Sequence, residues 1–342
     1  MEITPPRKIK RIEYIDAMRG FTMLLVVYHH VCHQVVKNDT LLFEQIPNWT
    51  FDSLFVIFRM PLFFFVSGFV LYKASRKWTC SDIIEFFKKK LPIQLAFPFV
   101  CMLVCLAITN IATVPHAILD PMKAGYWFTF VLLEYYVFYI AIQLLPIKGK
   151  LADAVEIAVG IFAYMAIYYG FVYHHWITDM LSISEWKFFA FFIFGVQAHK
   201  HFSAFEKLLD KNITITLLLV IFIGLNLMGH CYHIQSFTSV ILVFAFFRRY
   251  QQSFTQERKL GRVMQYIGRR TLDIYLLHYF FVFTNDWTKY RHFFDNLPLL
   301  ELICDMAVAV VIISLCLVIS NILRLSPFIA HYCFGQKTPV KS

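Results

Sequence analysis

Ten runs of apolar residues follow one another along this 342-residue chain, at roughly 17–37, 51–73, 92–112, 126–145, 152–173, 186–203, 213–230, 234–249, 271–285 and 300–323. A bilayer core is crossed by about 20 such residues in a helix. Inside hydrocarbon every backbone N–H and C=O must find a partner within the protein, and a helix does this by itself. The pattern predicts an all-α polytopic membrane protein with about ten transmembrane helices. The runs at 234–249 and 271–285 are the shortest. Composition agrees: 59% of residues are hydrophobic, 16% are charged, and the mean hydropathy is +0.60. Thirty-eight Phe, 18 Tyr and 6 Trp supply bulky lipid-facing and interfacial surface.

The basic residues fix an orientation. With the N-terminus in the cytoplasm, the alternate connections assigned to that side carry 25 Lys and Arg, and the opposite side carries 5. This bias follows the positive-inside rule and, with an even number of spans, returns the C-terminus to the cytoplasm. The formal charge of +10 is thus spread over short loops, and nucleic acid is not an expected partner. Arg7, Lys8, Lys10 and Arg11 precede the first run, which lacks a small-residue cleavage site and reads as a retained span. The expected organisation is a single membrane-embedded domain, 1–342, with short tails at 1–13 and 325–342. The longest inner connection, Arg248 to Arg270, is polar and has room for a short surface helix.

Ionisable residues inside the runs are the functional candidates, because they are costly in hydrocarbon and are kept for a task. Arg19 and His30 share the first run and lie roughly 16 Å apart along a helix rising about 1.5 Å per residue. Counting from the ends of their runs, Arg59 and Glu134 fall at a depth similar to His30. The trio offers a base, a cationic anchor and a carboxylate, or alternatively a buried salt-bridge network. His29 and His33 compete with His30 for the direct role. Asp16 lies three residues before Arg19, within reach for a salt bridge at the inner end. Arg269 and Arg270 can attract an anionic cofactor or serve as topology signals. His278 and Ser67 can line the same cavity or simply pack, and Pro61 and Gly68 can bend or narrow the second span.

Eight cysteines, at 32, 80, 101, 105, 231, 304, 316 and 333, sit mostly in or beside apolar runs without a Cys-x-x-Cys spacing. They read as packing residues. His174–His175, His199/His201 and His230/His233 match no strong ligand spacing, so neither metal nor haem is expected.

Several segments, in order, resemble the integral-membrane acyltransferase 3 family. Tyr14-Ile15-Asp16-Ala17-Met18-Arg19-Gly20 followed by His29-His30 is similar to its Asp-x-x-Arg-Gly opening and Arg-x10-His signature. Arg59-Met60-Pro61-Leu62-Phe63-Phe64-Phe65-Val66-Ser67-Gly68 is similar to its Met-Pro-Leu-Phe-Phe-x-x-Ser-Gly segment. Tyr126-Trp127-Phe128 through Glu134, Phe191 to Gly195, and Gly268 to His278 resemble its later patterns. The family's Arg-x-x-Arg after the second span is replaced here by Lys88, Lys89 and Lys90. The resemblance implies transfer of an acyl group, commonly acetyl, from cytosolic acyl-CoA to a hydroxyl of a carbohydrate or lipid-linked glycan at the membrane. It implies a bacterial inner-membrane location, lipid and acyl-CoA as partners, a catalytic His30 and an essential Arg19. Under that reading Arg19, Asp16, Ser67, Arg269, Arg270 and His278 serve the CoA side, and His30, Arg59 and Glu134 the chemistry. Export of a glycan or acylated lipid is the competing expectation.

Overall fold

In the computed structural model, residues 12–41, 50–74, 78–109, 114–117, 119–170, 175–228, 232–284, 286–294 and 296–336 are described. The basic cluster at 7–11, His174, His230 and Cys231 lie outside them. Every regular element among the described residues is helical. The principal helices are α1 (Glu13–His30), α2 (Phe51–Leu71), α3 (Cys80–Thr109), α4 (Trp127–Gln143), α5 (Lys150–Tyr168), α6 (Phe189–Lys200), α7 (Phe202–Leu209), α8 (Asn212–Met228), α9 (Tyr232–Arg249), α10 (Lys259–Arg269), α11 (Thr271–Val282) and α12 (Pro298–Leu323).

A helix occupies each of the ten apolar windows, but four are long and apolar enough to cross a membrane: α2, α3, α5 and α12. The count rises to five if α7 and α8, bent by 77°, form one broken span. The other windows differ for two reasons. The helices α4 and α11 are apolar but shorter, at 17 and 12 residues. Helices enclosed by others are relieved of the demand to be apolar, and α1 carries Glu13, Asp16 and Arg19 while α9 buries Gln235, Ser236, Thr238 and Ser239. The connection 248–270 does contain a helix, α10, and it packs into the bundle against α1.

Local chemistry explains the helix ends. Thr50 and Ser53 form a reciprocal capping box at the start of α2, and Thr79 with Asp82 does the same for α3. Pro298 opens α12 at a position where its missing N–H costs nothing. The helix α2 runs without interruption through Pro61.

Two glycine crossings set the closest helix approaches. A Cβ on Gly20 would overlap the Met264 carbonyl oxygen, and one on Gly268 would overlap that of Asp16, so α1 and α10 meet backbone to backbone. Gly68 abuts the Phe192 carbonyl and Gly195 that of Phe65, locking α2 to α6 in the same way. Two apolar cores result. One is largely aromatic and joins α2, α4, α6 and α9 to the start of α1; the other joins the rest of α1 to α3, α11 and α12. Because α1 belongs to both, it is the central element, and its ionisable residues face the inside of the bundle.

Candidate active site

Past His30, α1 continues as a π-helical segment, Val31–Val36, ending in Lys37 with φ +55°. Extra residues of this kind in a helix often re-aim side chains at functional sites. His29 and His33 point one way. His29 Nδ1 and His33 Nε2 each donate to Asp52 Oδ2 at 3.0 Å, and Arg59 Nη1 donates to Asp52 Oδ1 at 2.8 Å. Asp52 and Arg59 are 4% and 5% exposed, so the pair is buried and compensated.

His30, about 100° further round the helix, faces α11. Its Nε2 lies 3.2 Å from Tyr279 Oη, and its ring centroid is 5.1 Å from that of His278. Tyr279 donates its hydroxyl hydrogen to the Gly125 carbonyl at 2.7 Å, so towards His30 it can only accept. His30 is therefore protonated on Nε2, and its lone pair resides on Nδ1. That Nδ1 is buried and has no hydrogen-bond partner among the described residues.

The carbonyl that fixes this proton is presented by an unusual turn. Lys123 and Ala124 both have φ +49° and Gly125 has φ +94°. A Cβ on Gly125 would collide with the Tyr279 ring, so glycine is required for conformation and for space. Tyr275 also donates to Gly125 O at 2.7 Å and accepts from Phe128 N at 3.1 Å, while Tyr126 donates to Leu276 O at 3.1 Å. The turn and α11 are thus laced together around His30. His278 donates from Nδ1 to Ile274 O at 3.0 Å, which leaves its buried Nε2 as a second imidazole nitrogen without a described partner.

A cavity of about 480 Å³ opens between α1, α2, α3, α4 and α11. Arg19, Lys73, Lys90 and Arg269 lie around it, with Ser67, Gln94, Thr129 and Thr271 as polar groups and Met23, Val26, Phe63, Phe128 and Leu132 as apolar wall. Arg19 Nη2 donates to Thr271 Oγ1 at 2.9 Å, and Asp16 Oδ1 stands 3.9 Å from Nη1. Ser67 spends its hydroxyl hydrogen on Phe63 O at 2.8 Å. Gln94 is buried with its Oε1 unpartnered among the described residues. The inner wall reaches Val26, one helical turn before His30, and Tyr275, which shares the Gly125 acceptor with Tyr279. A cationic rim leading to an apolar interior suits a ligand with phosphates at one end and an uncharged arm at the other.

Three sequence expectations change. The Glu134 carboxylate accepts from Trp186 Nε1 at 2.7 Å, and the carboxylate that meets Arg59 and the histidines is Asp52. Counting depth along helices cannot tell which face a residue occupies, and Glu134 faces α6's leading turn. Arg270 is drawn off the cavity to Asp273 and Ser320, at 3.4 and 3.0 Å, and stacks over Tyr266. His278 belongs to the surroundings of His30, and the two histidines lie beyond the inner wall of the cavity and do not line it. Asp52, Gly125, Tyr279 and Lys73 went unnoticed in the sequence, and Lys90 entered it only among the lysines standing in place of the family's arginine pair. Asp52 sits in the first turn of its helix, where acids are ordinary, and Tyr279 follows His278 with nothing to set it apart.

Helices α2 and α3, both long and apolar enough to span a membrane, wall this polar cavity, as befits an integral membrane protein. The model of the acyltransferase domain, Acyl_transf_3, matches residues 12–319, and the chain belongs to that family, a membrane acyltransferase. No curated protein and no solved structure matches the chain.

Proposed function

We propose that the chain is a membrane O-acyltransferase that moves an acyl group, acetyl first among them, from cytosolic acyl-CoA to a hydroxyl of a cell-envelope carbohydrate or lipid-linked glycan at the bacterial inner membrane. The observation that carries this reading is His30: its Nε2 proton is committed to Tyr279, and its Nδ1 lone pair has no described partner. A neutral imidazole held in one tautomer is what a general base requires.

In the proposed reaction, His30 Nδ1 takes the proton of the acceptor hydroxyl as its oxygen attacks the thioester carbonyl. The tetrahedral adduct collapses, the C–S bond breaks, and the CoA thiolate recovers the proton from His30. Tyr279 and Gly125 act as positioning groups that hold the imidazole. The cavity supports acyl-CoA as donor, with Arg19, Lys73, Lys90 and Arg269 meeting phosphates and the apolar wall meeting the pantetheine arm. Arg59, Asp52, His29 and His33 form a polar network beside the base, buried at Arg59 and Asp52 and opening outward at His33, and fix the helix end that carries it.

The test is transfer of labelled acyl groups from acyl-CoA to envelope glycans by membranes containing wild-type or His30→Ala protein at matched levels. The expected loss is about 10²- to 10⁴-fold in rate. Wild-type rates in the variant would sink the assignment of His30.

A further inference from the structure

Three side chains that the proposed chemistry does not use meet beyond the end of α1. Cys32 lies on the π-helical segment, and Glu301 and Asp305 are one turn apart on α12. Their donor atoms all lie within 4.8 Å of one another. Cys32 is fully buried, Asp305 is 1% exposed and Glu301 4%. Both oxygens of Asp305 and Oε1 of Glu301 are buried without a hydrogen-bond partner among the described residues. By contrast Glu301 Oε2 accepts from Thr40 N at 2.8 Å, and the Cys32 thiol donates to Asn38 O at 2.8 Å. Two neighbouring carboxylates with three orphaned oxygens are unfavourable in a protein interior, where buried charges are paired or hold a metal.

We propose that Cys32, Glu301 and Asp305 form a binding site for one divalent d-block cation, with zinc the expected occupant. A thiolate with two carboxylates suits zinc, whereas calcium and magnesium take oxygen-only sets. Tetrahedral bonds of about 2.0–2.3 Å set donor atoms roughly 3.5 Å apart, within the observed spread. On binding, the ion replaces the Cys32 thiol proton, which leaves to solvent, and it neutralises two of the three negative charges. The site ties the end of α1 to α12 two residues beyond His30, so its role is to hold that helix end. His29, His33 and Asp52 also place donor atoms within 4.8 Å of one another. There, however, both Asp52 oxygens are occupied by the histidines and Arg59, and the guanidinium opposes a cation.

The experiment uses the full chain purified in detergent, stripped with a chelator, titrated with zinc chloride and desalted. Wild type should retain one zinc per chain and melt at higher temperature with zinc. Asp305→Asn and Cys32→Ser should lose both properties, and His33→Ala should keep the metal. Wild type without stoichiometric zinc overturns the proposal, as does Asp305→Asn binding like wild type or His33→Ala losing the metal. Should the first two variants fail to fold, cobalt is added to stripped wild type. A thiolate-to-cobalt charge-transfer band supports the site, and its absence overturns it.

Discussion

His30 Nε2 stands 3.2 Å from the hydroxyl of Tyr279, whose own hydrogen is given to Gly125 O. One tyrosine therefore decides which nitrogen of the histidine is basic. Tyr279→Phe removes the acceptor for the Nε2 proton and frees the imidazole to change tautomer or rotate. The expected result is a fall in kcat of about 10- to 100-fold with KM for acyl-CoA little changed. Steady-state acyl transfer with the purified variant measures it, and an unchanged kcat would remove the positioning role.

Asp52 is the acceptor shared by His29, His33 and Arg59. Asp52→Asn leaves the buried Arg59 charge without its counter-charge, at a cost of about 3 kcal/mol. The thermal midpoint in detergent should drop clearly. Glu134→Gln, which can still accept from Trp186, should melt near wild type and keep most of its activity. The reverse ranking would restore Glu134 to the site.

Arg269 and Arg270 are adjacent in sequence and are predicted to separate in function. Arg269→Ala and Lys90→Ala act on the cavity rim, so KM for acyl-CoA should rise several-fold, with weaker dependence on salt than wild type. Arg270→Ala removes a partner of the buried Asp273 and should lower the thermal midpoint with KM unchanged. Parallel kinetics and melts of the three variants decide the matter.

A methyl group at Gly268 has no room beside the Asp16 carbonyl, and at Gly224 it meets nothing within 4 Å. Gly268→Ala should force α1 and α10 apart and cost about 3 kcal/mol or more, judged by melting and yield. Gly224→Ala lies in a helix against open space and should be neutral or stabilising by about 0.5–1 kcal/mol. Equal behaviour of the two would contradict the glycine crossing.

Much of the molecule is legible in the sequence. Apolar runs give helices because hydrocarbon leaves the backbone no other partner, and the order of Arg19-Gly20, His30, Ser67-Gly68, Gly195 and Gly268 to His278 marks the family. Arg19, Ser67 and Arg269 do lie on one cavity. What the sequence could not determine is direction. Spacing along a helix reports depth, but the face a side chain occupies depends on how neighbouring helices cross. Close crossings at Gly20/Gly268 and Gly68/Gly195 settled that α1 would be enclosed and which of its histidines would meet Tyr279. The same tertiary packing chose Asp52 over Glu134, parted Arg270 from Arg269, and brought Cys32 to Glu301 and Asp305 across 269 residues of chain or more. Hydrogen bonds and ion pairs act over a few ångströms, so their partners are fixed by the fold and are not written in the local sequence.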